Sequence, residues 1–219
     1  MVFSVAIDGA SGVGKSTVAK LVAEYLNITY VNTGAMYRAI GLKILNTGID
    51  IKDEKALTEL LNNTIVTMDG DKVVLDGKDV SEAIREERIG NFASTVSKIQ
   101  IIRDNLVTQQ QNIARDKSVV MEGRDIGTVV LKDSKNKFYL TASVDERARR
   151  RYLELLNKNQ FEDLETIKKD MEKRDFQDMN RENSPLKKAE DAEEIVTDNL
   201  NQEEVAKLIV DKVKNESFL

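Results

Sequence analysis

The chain has 219 residues, 41% of them hydrophobic and 32% charged, and a net charge of −5. This is the balance of one soluble globular domain, or of one with an insertion, and it disfavours a general nucleic-acid binder, which is usually basic. Cysteine and histidine are both absent, which excludes disulfides, thiolate or imidazole metal sites, a Ser-His-Asp triad and a histidine general base.

The N-terminal run MVFSVAIDG reads as a first strand rather than a signal peptide, because it lacks a basic lead and a cleavage site. After Lys15, Val18, Leu21, Val22, Tyr25 and Leu26 recur at helical spacing. ITYVNTG reads as a second strand and AMYRAIGLKIL as a helix. Residues 63–92 differ in kind. TIVTMDGDKVVLDGKDV holds two or three short strands around DGD and DGK turns, an antiparallel signature and a candidate insertion. KIQIIRDNLVTQQQNIARD is helical, with Ile99, Ile102, Leu106 and Ile113 on one face. SVVMEGRDIGTVV carries a buried-strand run that ends at Glu122, Gly123, Arg124 and Asp125, and KFYLTAS is another strand. Two helices follow, VDERARRRYLELLNKNQ and LETIKKDMEKRDFQDMNREN, then a short last strand at EEIV. The closing helix NQEEVAKLIVDKVKN has Asn201 as N-cap with Glu204 three residues on. Strands alternating with helices predict an α/β fold with a parallel central sheet covered on both faces, a three-layer α/β/α arrangement.

The stretch IDGASGVGKST holds the clearest chemistry. Gly9, Gly14, Lys15 and Ser16 fit G-x-x-x-x-G-K-[ST] between a strand and a helix. Glycines let the backbone approach phosphate oxygens, successive N–H groups make an anion nest, and the helix adds its positive end. Gly9, Ala10, Ser11, Gly12, Val13, Gly14, Lys15, Ser16 and Thr17 are the expected ATP-binding residues. Lys15 is placed on the β- and γ-phosphates and Ser16 on Mg²⁺. Thr17 suits a helix start at least as well as a ligand. No Asn-Lys-x-Asp guanine reader occurs, which counts against a GTPase switch.

Two other clusters stand at predicted strand ends. NTGAMYR offers a hydroxyl, a tyrosine and an arginine for a second anion; the plain alternative is a helix start with Thr33 as cap and Arg38 solvated. In EGRDIGTVV, Arg124 and Asp125 either face a ligand or form a local ion pair. Ligands of open parallel sheets bind at the carboxyl ends of the strands. DERARRR, with Arg147, Arg149, Arg150 and Arg151, is the densest positive cluster. It reads as a phosphate-closing lid, as a basic face paired with nearby acids, or as a nucleic-acid patch, the last without aromatic interleaving to support it.

IDGASGVGKST, NTGAMYR, NFASTVS, EGRDIGTVV and RDFQDMNR together, in this order and spacing, resemble the bacterial cytidylate kinases over nearly the whole chain. GRDIGTVV and the later R-D-x-x-D-x-x-R are the specific parts. The resemblance implies a nucleoside-monophosphate kinase fold: a core over 1–62 and 93–219, a monophosphate-binding insertion at 63–92, and a mobile lid at about 147–180. It implies transfer of the ATP γ-phosphate to CMP or dCMP with Mg²⁺. Thr33, Tyr37 and Arg38 would hold CMP, and Ser94, Arg103 and Asp125 would read cytosine. Arg124, Arg174 and Arg181 would face phosphate and Asp178 a sugar hydroxyl. Arg174 and Arg181 are seven residues apart, two helical turns, so one face can present both. Arg147 and Arg151, at i and i+4, are the lid arginines expected to act in transfer, and Glu122 is a candidate for the Mg²⁺ shell through water. Ala10 stands where relatives often have proline, and Thr33 where many have serine. A monomer is expected, with ATP and CMP or dCMP as partners, a cytoplasmic location, and no nucleic acid or membrane. The rivals are a UMP or dTMP kinase, a nucleotide-sensing ATPase without a small acceptor, and an RNA-binding protein that uses the basic helix.

Overall fold

The computed structural model describes residues 2–217. In chain order its elements are β1 (Ser4–Gly9), α1 (Lys15–Leu26), β2 (Thr29–Asn32), α2 (Thr33–Thr47), α3 (Glu54–Asn62), β3 (Val66–Asp69), β4 (Lys72–Leu75), β5 (Lys78–Asp79), α4 (Glu87–Val96), α5 (Gln100–Asp116), β6 (Val119–Gly123), β7 (Asn136–Thr141), α6 (Val144–Asn157), α7 (Leu164–Met179), β8 (Glu193–Val196) and α8 (Gln202–Ser217). A 3₁₀ turn at Ala83–Arg85 precedes α4, and a π-type turn at Ile126–Val130 separates β6 from β7. The fold is α/β, with a parallel central sheet, flanking helices and a small antiparallel sheet, as the alternation predicts.

The chain divides into two compact units, one built on Thr29–Val119 and the other on Ser4–Ile28 with the chain from Val120 onward. In the second unit β6, β1, β7 and β8 lie side by side in that order, and β1–β7 and β7–β8 run parallel. Val5, Ala6 and Ile7 are wholly buried, as expected of a strand covered on both faces. α1 packs on α8, and α6 on α7 through Ala148, Leu155, Ile167 and Met171. Asn201 and Glu204 form the predicted reciprocal cap of α8: Glu204 N–H donates to Asn201 Oδ1 (2.9 Å) and Asn201 N–H to a Glu204 carboxylate oxygen (2.8 Å).

In the first unit α2 packs on α4 and α5, burying Met36, Ile40, Ile89, Ile102 and Leu106. The antiparallel sheet runs β3-β4-β5, and Asp76 and Gly77, both at positive φ, make its second two-residue turn. Lys43 on α2 holds that turn through Asp76 Oδ2 (2.6 Å). The cap of α2 is Asn32, whose Oδ1 accepts from Ala35 N–H at 2.9 Å; Thr33 is already the first helical residue. α3, capped by Asp53, occupies a stretch to which the sequence reading assigned no element. α7 stops at Met179 with Asn180 as its C-cap, so Arg181 lies beyond the helix that carries Arg174, and the one-face argument for the pair does not hold.

Two glycines separate close approach from conformation alone. A Cβ on Gly9 would stand 2.2 Å from the Leu140 carbonyl oxygen of β7, and one on Gly48 would meet nothing within 4 Å although its φ is +68°. Gly9→Ala is expected to cost more than ~4 kcal/mol or to prevent folding, whereas Gly48→Ala should cost about 1 kcal/mol. Urea denaturation of both variants tests this, and equal losses would contradict the β1–β7 contact.

Candidate active site

The turn between β1 and α1 is shaped by its glycines. Gly12 and Gly14 have φ of +78° and +96°, and Gly14 is the N-cap of α1, with no side-chain cap on the first N–H groups. An uncapped helix start next to a glycine turn leaves amides directed at an anion. Ser16 and Thr17 are exposed on the first turn, and Val13 is buried beneath the loop.

Lys15 is only 5% exposed and donates from Nζ to the Ala10 carbonyl at 2.6 Å. Burial lowers its pKa to about 7, with Arg124 pushing the same way, and Glu122, Asp8 and Asp178 pulling back. Asp8, at the end of β1, is pushed up to about 6 chiefly by burial, although it accepts from Ile126 N–H (2.8 Å) and Gly127 N–H (2.7 Å). Lys15 and Asp8 are opposite charges, yet burial moves both toward neutrality and outweighs their attraction.

Arg124 Nε donates to Asp178 Oδ2 at 2.8 Å, and Arg181 bonds Asp178 Oδ1. These arginines hold the Asp178 carboxyl below the usual range in spite of its burial. Glu122 is buried at the end of β6 and Asp125 just after it. Lys15, Glu122, Arg124, Asp178 and Arg181 thus gather in the second unit, with Asp125 beside Asp8. Arg174 is exposed on α7.

The arginine-rich helix α6 resolves into separate roles. Arg149 and Arg150 both bind Glu146, and Arg149 is the main cause that holds Glu146 down at about 2. Arg150 also donates to the Thr197 carbonyl at 2.6 Å. Arg151 is exposed and pairs with Glu154 (2.9 Å). Arg147 is buried and donates to the Ser11 carbonyl of the glycine loop at 3.0 Å. The i, i+4 pair therefore does not share one environment.

In the first unit Thr33 and Tyr37 are buried on α2, and Arg38 is partly buried beside Gly90 of α4. Arg103, 2% exposed, donates from Nη1 to the Ser97 carbonyl (3.2 Å) and lies 5.7 Å over the Tyr37 ring. Ser94 is half-buried on α4. The sequence reading gave no task to Asp8 or to Asp175, which pairs with Arg147 at 2.6 Å. Both had a signal: Asp8 directly precedes the loop, and Asp175 lies inside R-D-x-x-D-x-x-R.

Among the described residues no group of three or more acidic side chains is placed to hold a metal ion. The donors that do stand near the loop, the Ser16 hydroxyl and Glu122, are hard oxygens, and Mg²⁺ commonly takes only one or two protein ligands beside phosphate oxygens and water, so the set fits.

A parallel sheet whose first strand opens into this loop, with a buried lysine at the following helix start, defines a P-loop nucleotide-binding protein. The family model for cytidylate kinase matches residues 5–215, and the chain belongs to that family. It is 49% identical over 210 residues to a cytidylate kinase of Caldanaerobacter subterraneus subsp. tengcongensis, covering 96% of this chain and 94% of that protein. It is 47% identical over 218 residues to the cytidylate kinase of Bacillus subtilis, covering 98% and 97%. Among solved structures, an uncharacterized protein from Eubacterium ventriosum shares the fold, with a TM-score of 0.54 and 16% identity over 98% of this chain and 99% of that one.

The depressed pKa of Lys15 has a measurable consequence. Above pH 7 the free lysine is largely neutral, and a phosphate anion placed against it raises its pKa, so binding takes up a proton. At pH 8, calorimetric titration with ATP in two buffers of different ionisation heat should show uptake of up to about one proton, absent in Lys15→Met. Affinity should fall as pH rises above 7. Equal proton uptake by both proteins would remove Lys15 from the phosphate.

Proposed function

We infer that the chain transfers the γ-phosphoryl group of ATP to CMP or dCMP, giving ADP and CDP or dCDP. The observation that carries this is a formed phosphate loop with a buried lysine in a chain matched over residues 5–215 by the cytidylate kinase family. A CMP phosphate oxygen attacks the γ-phosphorus in line, the bond to the β,γ-bridging oxygen breaks, and ADP leaves. A phosphate monoester is largely ionised at neutral pH, so the step needs neither a side-chain nucleophile nor a histidine base, consistent with a chain that has no histidine.

Residues Gly9 to Thr17 are assigned to ATP, with Lys15 on the β- and γ-phosphates, where a desolvated cation is most effective. Ser16 directly, and Glu122 through water, are assigned to Mg²⁺; they would hold the ion, which would neutralise phosphate charge. Arg151, on a surface pair with Glu154, is assigned as the mobile lid cation. Arg124, Arg174 and Arg181 are assigned to phosphate and Asp178 to a sugar hydroxyl of CMP.

Thr33, Tyr37, Arg38 and Ser94 are likewise assigned to CMP, and Arg103 and Asp125 to its base. Cytosine offers an amine donor at N4 and an acceptor at N3; a carboxylate suits the first and an arginine the second. Arg103 is buried and already held by the Ser97 carbonyl and the Tyr37 ring, which supports a fixed reader. Uracil inverts both groups and leaves buried partners mismatched. We assign residues 63–92 as the monophosphate-binding part, 147–180 as the lid and the remaining chain as the core. We place the protein in the cytoplasm as a monomer acting on free nucleotides in pyrimidine metabolism, without nucleic acid or membrane. Two observations support the part that concerns membrane and nucleic acid. No helix among the described residues is long and apolar enough to cross a membrane, and the net charge is acidic.

ADP release from MgATP, measured with CMP, dCMP, UMP, dTMP, AMP and GMP in turn, tests the reading. Turnover should be confined mainly to CMP and dCMP, and Asp125→Ala should lower the CMP-over-UMP ratio of kcat/KM by ~100-fold. An unchanged ratio removes Asp125 from base reading. ATP hydrolysis indifferent to every acceptor replaces the kinase with a nucleotide sensor.

A further inference from the structure

The R-D-x-x-D-x-x-R stretch contains a carboxylate that the proposed function leaves without a task, Asp175. It lies on the buried side of α7 with Met171 and Asp178. Its Oδ2 stands 2.6 Å from Arg147 Nη1, with the two side chains 11% and 7% exposed. Asp175 Oδ1 is buried with no hydrogen-bond partner, so Arg147 is the group this carboxylate serves.

Arg147 in turn reaches the phosphate loop. The same Nη1 donates to the Ser11 carbonyl at 3.0 Å, and Nε donates to the Ala142 carbonyl, just past β7, at 3.2 Å. One guanidinium therefore ties together the loop, the β7–α6 junction and α7. Gly12 reports the same closeness independently, because a Cβ there would meet Met171 Cε at 3.1 Å and Arg147 Cβ at 3.5 Å.

A trans peptide is planar, so its C=O and N–H point in opposite directions. Drawing the Ser11 carbonyl toward Arg147 therefore turns the Gly12 N–H the other way. We propose that Asp175 is a positioning residue for the phosphate loop: through Arg147 it fixes the Ser11–Gly12 peptide and aims the Gly12 N–H at an ATP phosphate. This rests on the reading that the loop takes ATP. Arg147 and Asp175, on this geometry, stay with the loop, and lid movement is confined to the chain between them. Without the carboxylate, a buried cation would keep only two neutral carbonyls, and the loop would lose its fixed peptide.

The test uses the full chain with Asp175→Asn and Asp175→Glu. Asp175→Asn should raise KM for ATP about tenfold while KM for CMP stays within about twofold, and Asp175→Glu should recover most of the loss. Amide exchange at residues 10–14 of the nucleotide-free protein should speed up in Asp175→Asn, with the sheet amides unchanged. A fall in Tm with both KM values and all amides moving together would reduce Asp175 to a packing residue and overturn the proposal. If Asp175→Asn does not fold, Arg147→Lys, which retains the charge without the fork, should give the same KM split; no split overturns the proposal. Wild-type protein that releases ADP without regard to CMP sinks the kinase reading alone, because the exchange measurement on the free chain still tests the loop.

Discussion

Desolvation of Lys15 is the constraint around which the second unit is organised. An ammonium removed from water loses its hydration, and that loss lowers its pKa to about 7 in spite of the nearby carboxylates. Two of these carboxylates, Asp8 and Asp178, are committed to other partners. Asp8 spends both oxygens on the Ile126 and Gly127 amides, and Asp178 spends both on Arg124 and Arg181. What the loop itself offers an anion is a field of buried lysine, uncapped amides and a helix start. The field is already oriented before the anion arrives, so little reorganisation is needed when charge spreads over the transferring group.

Most of this was legible because the signals are local. The glycine turn, its lysine and the period change from strand to helix all fall within a dozen residues. So do the DGD and DGK turns and the Asn201–Glu204 cap. α3 is legible in the same way, since Asp53 caps it and Leu57, Leu60 and Leu61 form its buried stripe, although its signal is weaker than that of the motifs on either side. The end of α7 was less accessible. RDFQDMNREN carries no glycine or proline before Pro185, and the helix stops where Asn180 N–H bonds the Phe176 carbonyl and Leu186 N–H bonds the Asp178 carbonyl. That second bond belongs to tertiary structure, which periodicity does not record.

Partners across long separations were not legible at all. The sequence supplies the charges of Arg103, Arg124 and Arg147 without saying that they meet Tyr37, Asp178 and Asp175. Helical spacing made Arg147 and Arg151 equivalent members of one face. The structure separates them, because the buried stripe of α6 includes Arg147, Ala148 and Leu155 and leaves Arg151 in water. A periodicity argument gives direction around a helix but not the edge of the surface packed against it.

The strength of each ion pair sorts the arginines by what they are free to do. Arg151 and Glu154 are exposed, and such pairs contribute about 0–1 kcal/mol, so a phosphate can displace the carboxylate at little cost. Arg124 and Arg181 on Asp178, and Arg147 on Asp175, are largely buried, and removing one partner from such a pair costs about 3–5 kcal/mol. The buried pairs therefore hold shape, and they can engage a ligand only through hydrogen-bonding capacity the pair leaves over. Arg149 and Arg150 are committed to Glu146 on their own helix. A run of four arginines in an acidic chain is thus no open basic surface for a polyanion. Most of its charge is paired within the fold, and of the two exposed arginines it is Arg151, whose partner Glu154 is itself exposed, that can change partner when a small anion is to be enclosed.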